Sequence, residues 1–209
     1  YNLLHFFVLS GSDIYANSVQ WLSYVGCVIG ISFIIKMLNG SIEQQITGAI
    51  ICASIPMAIL QSTSTQNDMV VSFWIICFVI YVLKIINDPL NRILPIFGGI
   101  SLGLALLSKA TAYIFLAPFC LILVFVLIRK GRKPILNGFL IITIAFALNL
   151  LHYSRMYTIF ESPLGPNEYY SNSEISIASF SSNLIRNTAL NFAYPCIDQN
   201  QLNPINEGL

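Results

Sequence analysis

The sequence has 209 residues, of which 56% are hydrophobic and only 9% are charged. Soluble domains usually carry about 25% charged residues, so this composition excludes an ordinary water-soluble globule and indicates that part of the surroundings is lipid. The formal net charge of +1 gives no electrostatic basis for binding nucleic acid.

Six apolar runs predict helices that cross a membrane or nearly cross it, because about 20 apolar residues span the hydrocarbon core. In chain order they are Val19–Leu38, Gln45–Leu60, Met69–Ile86, Ile93–Leu107, Ala110–Ile128 and Ile135–Leu151. The second and fourth runs are short, and each ends at a polar stretch, which is typical of helices that stop in a wet cavity. Tyr1–Leu9 is apolar but too short to span, and we expect it in the membrane interface. The predicted fold is an all-α, polytopic membrane helix bundle.

The basic residues predict which side of the membrane each connection faces. Seven of the ten Lys and Arg lie on the side of the connections that follow the first, third and fifth runs, either in these connections or near the ends of the runs, namely Lys36, Lys84, Arg92, Arg129, Lys130, Arg132 and Lys133. The positive-inside rule places these connections in the cytoplasm. The connections after the second and fourth runs, and the chain from His152 onward, are then expected to face outward.

This topology divides the chain into two parts. Residues 1–151 form a transmembrane module, and residues 152–209 form an outer polar segment in which Ser162–Pro166 has the composition of a turn. Because the sequence begins with tyrosine, we expect a piece of a larger membrane protein whose module is incomplete at its N-terminus.

Asp68, in the polar connection between the second and third runs, is the first candidate for a functional side chain. One interpretation is structural, since aspartate is a favoured N-cap for a helix that starts at Met69, and Thr65 with Asp68 resembles a capping box. The other makes the carboxylate a general base or a metal ligand at the top of a cavity, with Ser72 extending a polar stripe inward. Both interpretations remain open at this point.

Lys109, in the connection after the fourth run, is the second candidate. It lies on the outer side, against the positive-inside bias, and could simply extend its ammonium to the headgroups. The hydroxyls of Ser108, Thr111 and Tyr113 and the amides of a helix N-terminus are nearby in sequence, however. Ammonium and amide donors both bind anions, so the sequence predicts a phosphate clamp here.

Other small and polar residues have structural explanations. Asp13 stands among turn formers and is expected to be a cap or a loop residue. Gly98, Gly99 and Gly103 are expected to let helices pack closely at membrane depth. The five cysteines show no metal-binding spacing.

Several stretches resemble a known family. They are Gln20–Gly26, Gln61–Asp68, Leu104–Tyr113, Glu161–Pro166 and Ser182–Asn187. Together they resemble the bacterial polytopic glycosyltransferases of the GT-C fold, the group related to protein O-mannosyltransferases and lipid A aminoarabinose transferases. The resemblance implies an enzyme of the bacterial inner membrane with its active face outward. Such an enzyme takes a sugar from a polyprenyl-phosphate carrier and passes it to a lipid, glycan or protein hydroxyl.

The resemblance also implies roles for particular residues. Asp68 matches the second of two acidic positions in the family, the first of which would lie before the start of this sequence. Lys109 matches the basic residue placed against the carrier phosphate, and Asn67, Thr111 and Tyr113 are expected to bind substrate beside it. Asp68 would act as the base itself or would hold a divalent cation, and both roles remain open. The expected partners are the lipid-linked donor and membrane lipids.

Two other function classes compete with this one. A transporter or flippase would use Asp68 and Lys109 as a substrate or proton relay, and it is expected to contain inverted repeats, which the sequence does not show. A non-catalytic scaffold subunit would leave the outer polar connections without an explanation.

Overall fold

The computed structural model describes residues 2–165 and 176–192, and in these ranges the regular secondary structure consists of helices joined by turns, with no strand. The helices there are α1 Asn2–Ser10, α2 Ser18–Met37, α3 Ile42–Ala53, α4 Pro56–Ser62, α5 Asp68–Asn87, α6 Leu94–Ser108, α7 Ala112–Lys130, α8 Arg132–Phe160 and α9 Ile177–Phe192. The predicted all-α fold is therefore confirmed. Helix α1 exposes apolar side chains, among them Val8 and Leu9.

Four helices, α2, α5, α7 and α8, are long and apolar enough to cross a membrane. Helices α3 and α4 pass the same test only as a pair, and α6 has 15 residues and is shorter than a full span. The described residues thus contain four or five candidate spans, which indicates a multi-pass membrane protein. The expectation of about six spans is not met, because the two short runs do not form full-length helices.

The second predicted run is broken rather than continuous. Helices α3 and α4 meet at an angle of 65°, and Pro56 is at the start of α4 after Ile55 in an extended conformation. Proline has no N–H to donate to the preceding turn and disfavours a helical conformation at the residue before it. Pro56 therefore ends the helical path that the apolar composition of Gln45–Leu60 predicted.

Helix α6 packs closely against α8 through its glycines. A Cβ atom on Gly99 would lie 3.0 Å from the carbonyl oxygen of Ile141, and one on Gly103 would lie 3.1 Å from the Cα of Ala145. At the same contact the buried amide of Asn149 donates to the carbonyl oxygen of Gly103 at 2.9 Å. The prediction of close helix packing is confirmed for Gly99 and Gly103, whereas a Cβ atom on Gly98 would meet only ordinary contacts.

We expect Gly103→Ala to lower the free energy of unfolding by about 1–3 kcal/mol, because the new methyl group would press on the backbone of α8. Gly98→Ala is the matched control, since its Cβ would meet only ordinary contacts, the nearest at 3.6 Å. Alanine also favours a helix more than glycine does, so the control should be neutral or slightly stabilising. Thermal unfolding in detergent measures both, and equal losses would contradict the packing argument.

Side-chain hydrogen bonds hold the basic end of the bundle together. The Lys130 ammonium donates to the carbonyl oxygen of Ile86 at 2.6 Å. The Asn137 amide donates to the carbonyl oxygens of Pro89 and Asn91 at 2.8 and 3.1 Å. These bonds fasten the connection between α5 and α6 to the region where α7 ends and α8 begins.

Helix α8 continues past the proposed division at residues 151 and 152 as far as Phe160. The predicted turn follows it, and the Gly165 amide there donates to the carbonyl oxygen of Ser162 at 3.3 Å. Pro166 lies outside the described residues. The first part of the segment predicted to face outward is therefore a continuation of α8.

Candidate functional site

The candidate site lies where the start of α5 meets the end of α6. Asp68 is the first residue of α5, and Lys109 directly follows α6. A short connection joins these consecutive helices at their opposite ends, so the two residues reach the same end of the bundle although 41 positions separate them. Their side chains form an ion pair, with 34% of Lys109 and 32% of Asp68 exposed. The expected proximity of the two charges is confirmed.

The cap of α5 comes from another helix. The side-chain oxygen of Gln20, in α2, accepts hydrogen bonds from the backbone amides of Met69 and Val70 at 3.0 and 3.1 Å. Gln20 is only 1% exposed. The N-cap position of α5 is Asn67, and its side chain makes no capping bond.

The interpretation of Asp68 as a helix cap is therefore wrong, and so is the capping box with Thr65. Because Gln20 accepts the hydrogen bonds from the first amides of α5, the Asp68 carboxylate does not cap the helix and instead pairs with Lys109. The described residues do contain a capping box, but it lies at the start of α3, between Ser41 and Gln44.

We expect Gln20→Met to destabilise the protein by about 2–6 kcal/mol, because it leaves the amides of Met69 and Val70 without an acceptor at about 1–3 kcal/mol for each. Methionine has a similar length and is apolar, so the change removes the accepting oxygen together with the side-chain nitrogen of Gln20, which is buried and has no hydrogen-bond partner among the described residues. Gln66→Met, at an exposed position of the neighbouring connection, is the control and should have little effect. If thermal unfolding gives the same midpoint for Gln20→Met and the unchanged protein, Gln20 does not stabilise the start of α5.

A further bond ties the two helix ends together. The side-chain amide of Asn67 donates to the backbone carbonyl oxygen of Ser108. The Ser108 hydroxyl donates to the backbone carbonyl oxygen of Leu104 at 2.6 Å, and the Ser72 hydroxyl donates to the backbone carbonyl oxygen of Asp68 at 2.8 Å. The side-chain nitrogen of Asn67 thus links the two helix ends, and each serine hydroxyl donates a hydrogen bond within its own helix.

A cavity of about 230 Å³ opens beside Lys109. Lys109 and Tyr113 line it on one side, and His152 and Tyr153 of α8 line it on the other, with the turn after α8 completing the wall. The Tyr113 and Tyr153 hydroxyls share a hydrogen bond. Of the residues expected to bind substrate, Lys109 and Tyr113 thus lie on this cavity. Sequence analysis did not find Tyr153, since nothing local to α8 marks it.

Asn67, Asp68 and Thr111 are not among the described residues that line this cavity. Asp68 contacts Lys109, which lines the cavity, but does not line the cavity itself. Thr111 is exposed at the start of α7 and makes no side-chain capping bond there.

The amides at the start of α7 do not form the predicted phosphate clamp. The N–H groups of Ala112, Tyr113 and Ile114 donate to carbonyl oxygens three positions earlier, at 3.0, 3.2 and 3.1 Å. A tight turn after α6 uses these donors within the chain. An anion bound here would therefore rely on the ammonium of Lys109, and the prediction of free helix amides is wrong.

The surroundings of Asp68 do not fit a divalent cation. The described part of the chain holds no group of three His, Cys, Asp or Glu residues that could bind a metal. The carboxylate faces the positive charge of Lys109, which would repel a cation. Metal ligation by Asp68 therefore receives no support from the residues around it.

No family model matches this chain, and no curated protein or solved structure matches it either. The resemblance to bacterial glycosyltransferases therefore stays a prediction from the sequence.

Proposed function

We propose that this chain is the membrane-embedded part of a glycosyltransferase that moves a sugar from a polyprenyl-phosphate carrier to a hydroxyl group on the outer side of the membrane. The observation that carries the proposal is the Asp68–Lys109 ion pair at one end of a helical membrane bundle. Charged side chains are costly near lipid and usually have a function there. This pair offers both a group that can hold a phosphate and a group that can accept a proton.

The reaction needs these two groups. The acceptor oxygen forms a bond to the anomeric carbon as the bond from that carbon to the phosphate oxygen breaks, and the carrier leaves as polyprenyl phosphate. Lys109 would stabilise the negative charge that develops on the departing phosphate. Asp68 would take the proton of the acceptor hydroxyl. Attack from the face opposite the phosphate inverts the anomeric carbon.

The ion pair gives this mechanism an order of events. In the structure the Lys109 ammonium contacts the Asp68 carboxylate and also lines the cavity. A donor phosphate in the cavity would compete with the carboxylate for the ammonium. The Asp68 carboxylate would then be free to contact the acceptor hydroxyl.

The apolar surface next to Lys109 suits a donor with a long lipid tail. Leu107 and Ile114 flank the site in sequence, with 44% and 74% of their surfaces exposed, and Phe115 is 60% exposed. Such side chains are expected to contact lipid in a membrane protein. A polyprenyl tail could lie along them while its phosphate reaches Lys109.

The proposal is tested with the full-length protein that contains this chain, purified and reconstituted with polyprenyl-phosphate-linked sugars. We expect release of polyprenyl phosphate that depends on an added acceptor from bacterial envelope extracts. The measurement is chromatography of the lipid products. A protein that binds these donors but never releases polyprenyl phosphate with any sugar would contradict the proposal.

One observation favours a transporter or flippase as a second candidate. The bend of 65° between α3 and α4 makes a broken span or a re-entrant segment, and broken helices at membrane depth are typical of transporters. In that case Asp68 and Lys109 would serve as a relay for a polar substrate. Movement of an intact lipid-linked sugar across reconstituted vesicles, without release of polyprenyl phosphate, would identify this function.

A further inference from the structure

A second cavity, of about 580 Å³, lies at the opposite end of the bundle from the Asp68–Lys109 pair. The connection between α5 and α6 and the first turns of α8 form its walls. Its polar lining residues are Arg92, Asn137 and Thr143. We call it the basic-end groove.

Hydrogen bonds fix the shape of the basic-end groove. Asn137 is 6% exposed, and its amide donates to the carbonyl oxygens of Pro89 and Asn91 at 2.8 and 3.1 Å. The side-chain oxygen of Asn91 accepts the Ile93 amide at 2.9 Å. The connection that carries Arg92 is therefore held against α8, and the groove is a built feature of the fold.

The groove joins a long apolar surface to Arg92, the one positive charge among its described lining residues. Leu90, Leu136 and Phe139 line it with 66%, 62% and 71% of their surfaces exposed, which is the exposure expected of side chains that contact lipid. Arg92 is exposed and has no hydrogen-bond or ion-pair partner within the described ranges. A guanidinium group binds phosphate oxygens in a fork geometry.

The charge of this end of the bundle indicates which lipid fits. Seven of the ten Lys and Arg of the chain lie at this end, so the positive-inside rule assigns it to the cytoplasmic leaflet, where anionic lipids collect. Asp88 is the acidic residue nearest to Arg92 in sequence. Its carboxylate accepts a hydrogen bond from the side-chain amide of Asn91 at 3.2 Å and forms no ion pair with Arg92. A zwitterionic lipid would bring a positive charge of its own close to Arg92 and would gain less.

We propose that the basic-end groove binds one anionic phospholipid of the cytoplasmic leaflet. Its phosphate lies on Arg92, and an acyl chain lies against Leu136 and Phe139. This site is separate from the Asp68–Lys109 pair and does not depend on the function proposed for that pair.

The test uses the full-length protein in lipid nanodiscs made of phosphatidylcholine with or without phosphatidylglycerol. Native mass spectrometry then counts the phosphatidylglycerol molecules retained after exchange into detergent. We expect the unchanged protein to retain one phosphatidylglycerol in preference to phosphatidylcholine. Arg92→Gln should weaken this retention about tenfold, as expected for loss of a charge-assisted hydrogen bond.

Two further variants separate a defined site from general attraction. Arg129→Gln removes one positive charge from the same end, but Arg129 stacks on Phe125 at 4.3 Å and is not a lining residue, so it should keep the retention. Thr143→Trp places a ring in the groove and should abolish retention while Arg92 stays in place. The midpoint of thermal unfolding, measured in phosphatidylcholine nanodiscs, should be the same for all three variants.

Three results would overturn the proposal. Equal loss in Arg92→Gln and Arg129→Gln would mean diffuse attraction to the whole basic end. Equal retention of phosphatidylcholine and phosphatidylglycerol would mean that the groove does not select charge. Displacement of the lipid by millimolar glycerol phosphate would mean that Arg92 binds a soluble phosphate instead.

Discussion

Lys109→Ala is expected to slow sugar transfer by about 100-fold or more, the loss seen when one group that stabilises charge in a transition state is removed. The physical reason is that the developing charge on the carrier phosphate would lose its positive partner. The fold should remain intact, because the Asp68–Lys109 pair is a third exposed and such pairs contribute at most about 1 kcal/mol. Release of polyprenyl phosphate and thermal unfolding, measured on the same preparation, separate the two effects.

Two variants serve as controls for this change. Lys109→Arg should keep part of the activity, because a planar fork replaces a compact charge at the same position. Lys36→Ala removes a lysine near the opposite end of the bundle and should transfer sugar at the normal rate. Normal transfer in Lys109→Ala would show that the ammonium does not contact the phosphate in the reaction.

Asp68→Asn is expected to slow the chemical step by about 100-fold while it strengthens donor binding. Asparagine cannot accept the proton of the acceptor hydroxyl, so the rate falls. It also no longer competes for the Lys109 ammonium, so the donor phosphate should bind more tightly. In steady-state kinetics kcat should fall and the KM for the donor should fall with it.

The structure makes this variant easier to interpret. Gln20 caps α5, so the Asp68 change leaves the start of the helix in place. Asp88→Asn, at the other end of α5, is the matched control and should leave both constants unchanged. If Asp68→Asn retains full activity, the carboxylate serves only to hold Lys109 and the base must be sought elsewhere.

Several features of the site could be predicted from the sequence because they depend on order along the chain. Asp68 and Lys109 each lie in a connection that the positive-inside rule predicts to face outward, so alternating helices had to bring them to one end of the bundle. The break at Pro56 could also have been predicted, since the proline stands inside the apolar run and cannot continue a helix. The apolar composition of Gln45–Leu60 nevertheless led to the prediction of one continuous helix where the structure has two.

Other features could not be predicted because they depend on which helices touch. Gln20 is one polar residue in the first turn of an apolar helix, and only the packing of α2 against α5 carries its oxygen to the amides of Met69 and Val70. Tyr113 and Tyr153 are 40 positions apart and meet only because α7 and α8 bring them together. The turn formed by residues 109–111 accepts hydrogen bonds from the first amides of α7, and its position likewise depends on where α6 ends.

Apolar composition and the positions of the charges were enough to predict a helical fold with membrane spans, because both act locally and need no partner helix. The order of the helices along the chain was enough to predict that two opposite charges would share one end of the bundle. The tertiary structure decided what each polar group does there, since a buried donor or acceptor must be satisfied by whichever neighbour lies within hydrogen-bond distance. That neighbour was Gln20 for the amides of α5, and it left Asp68 with Lys109.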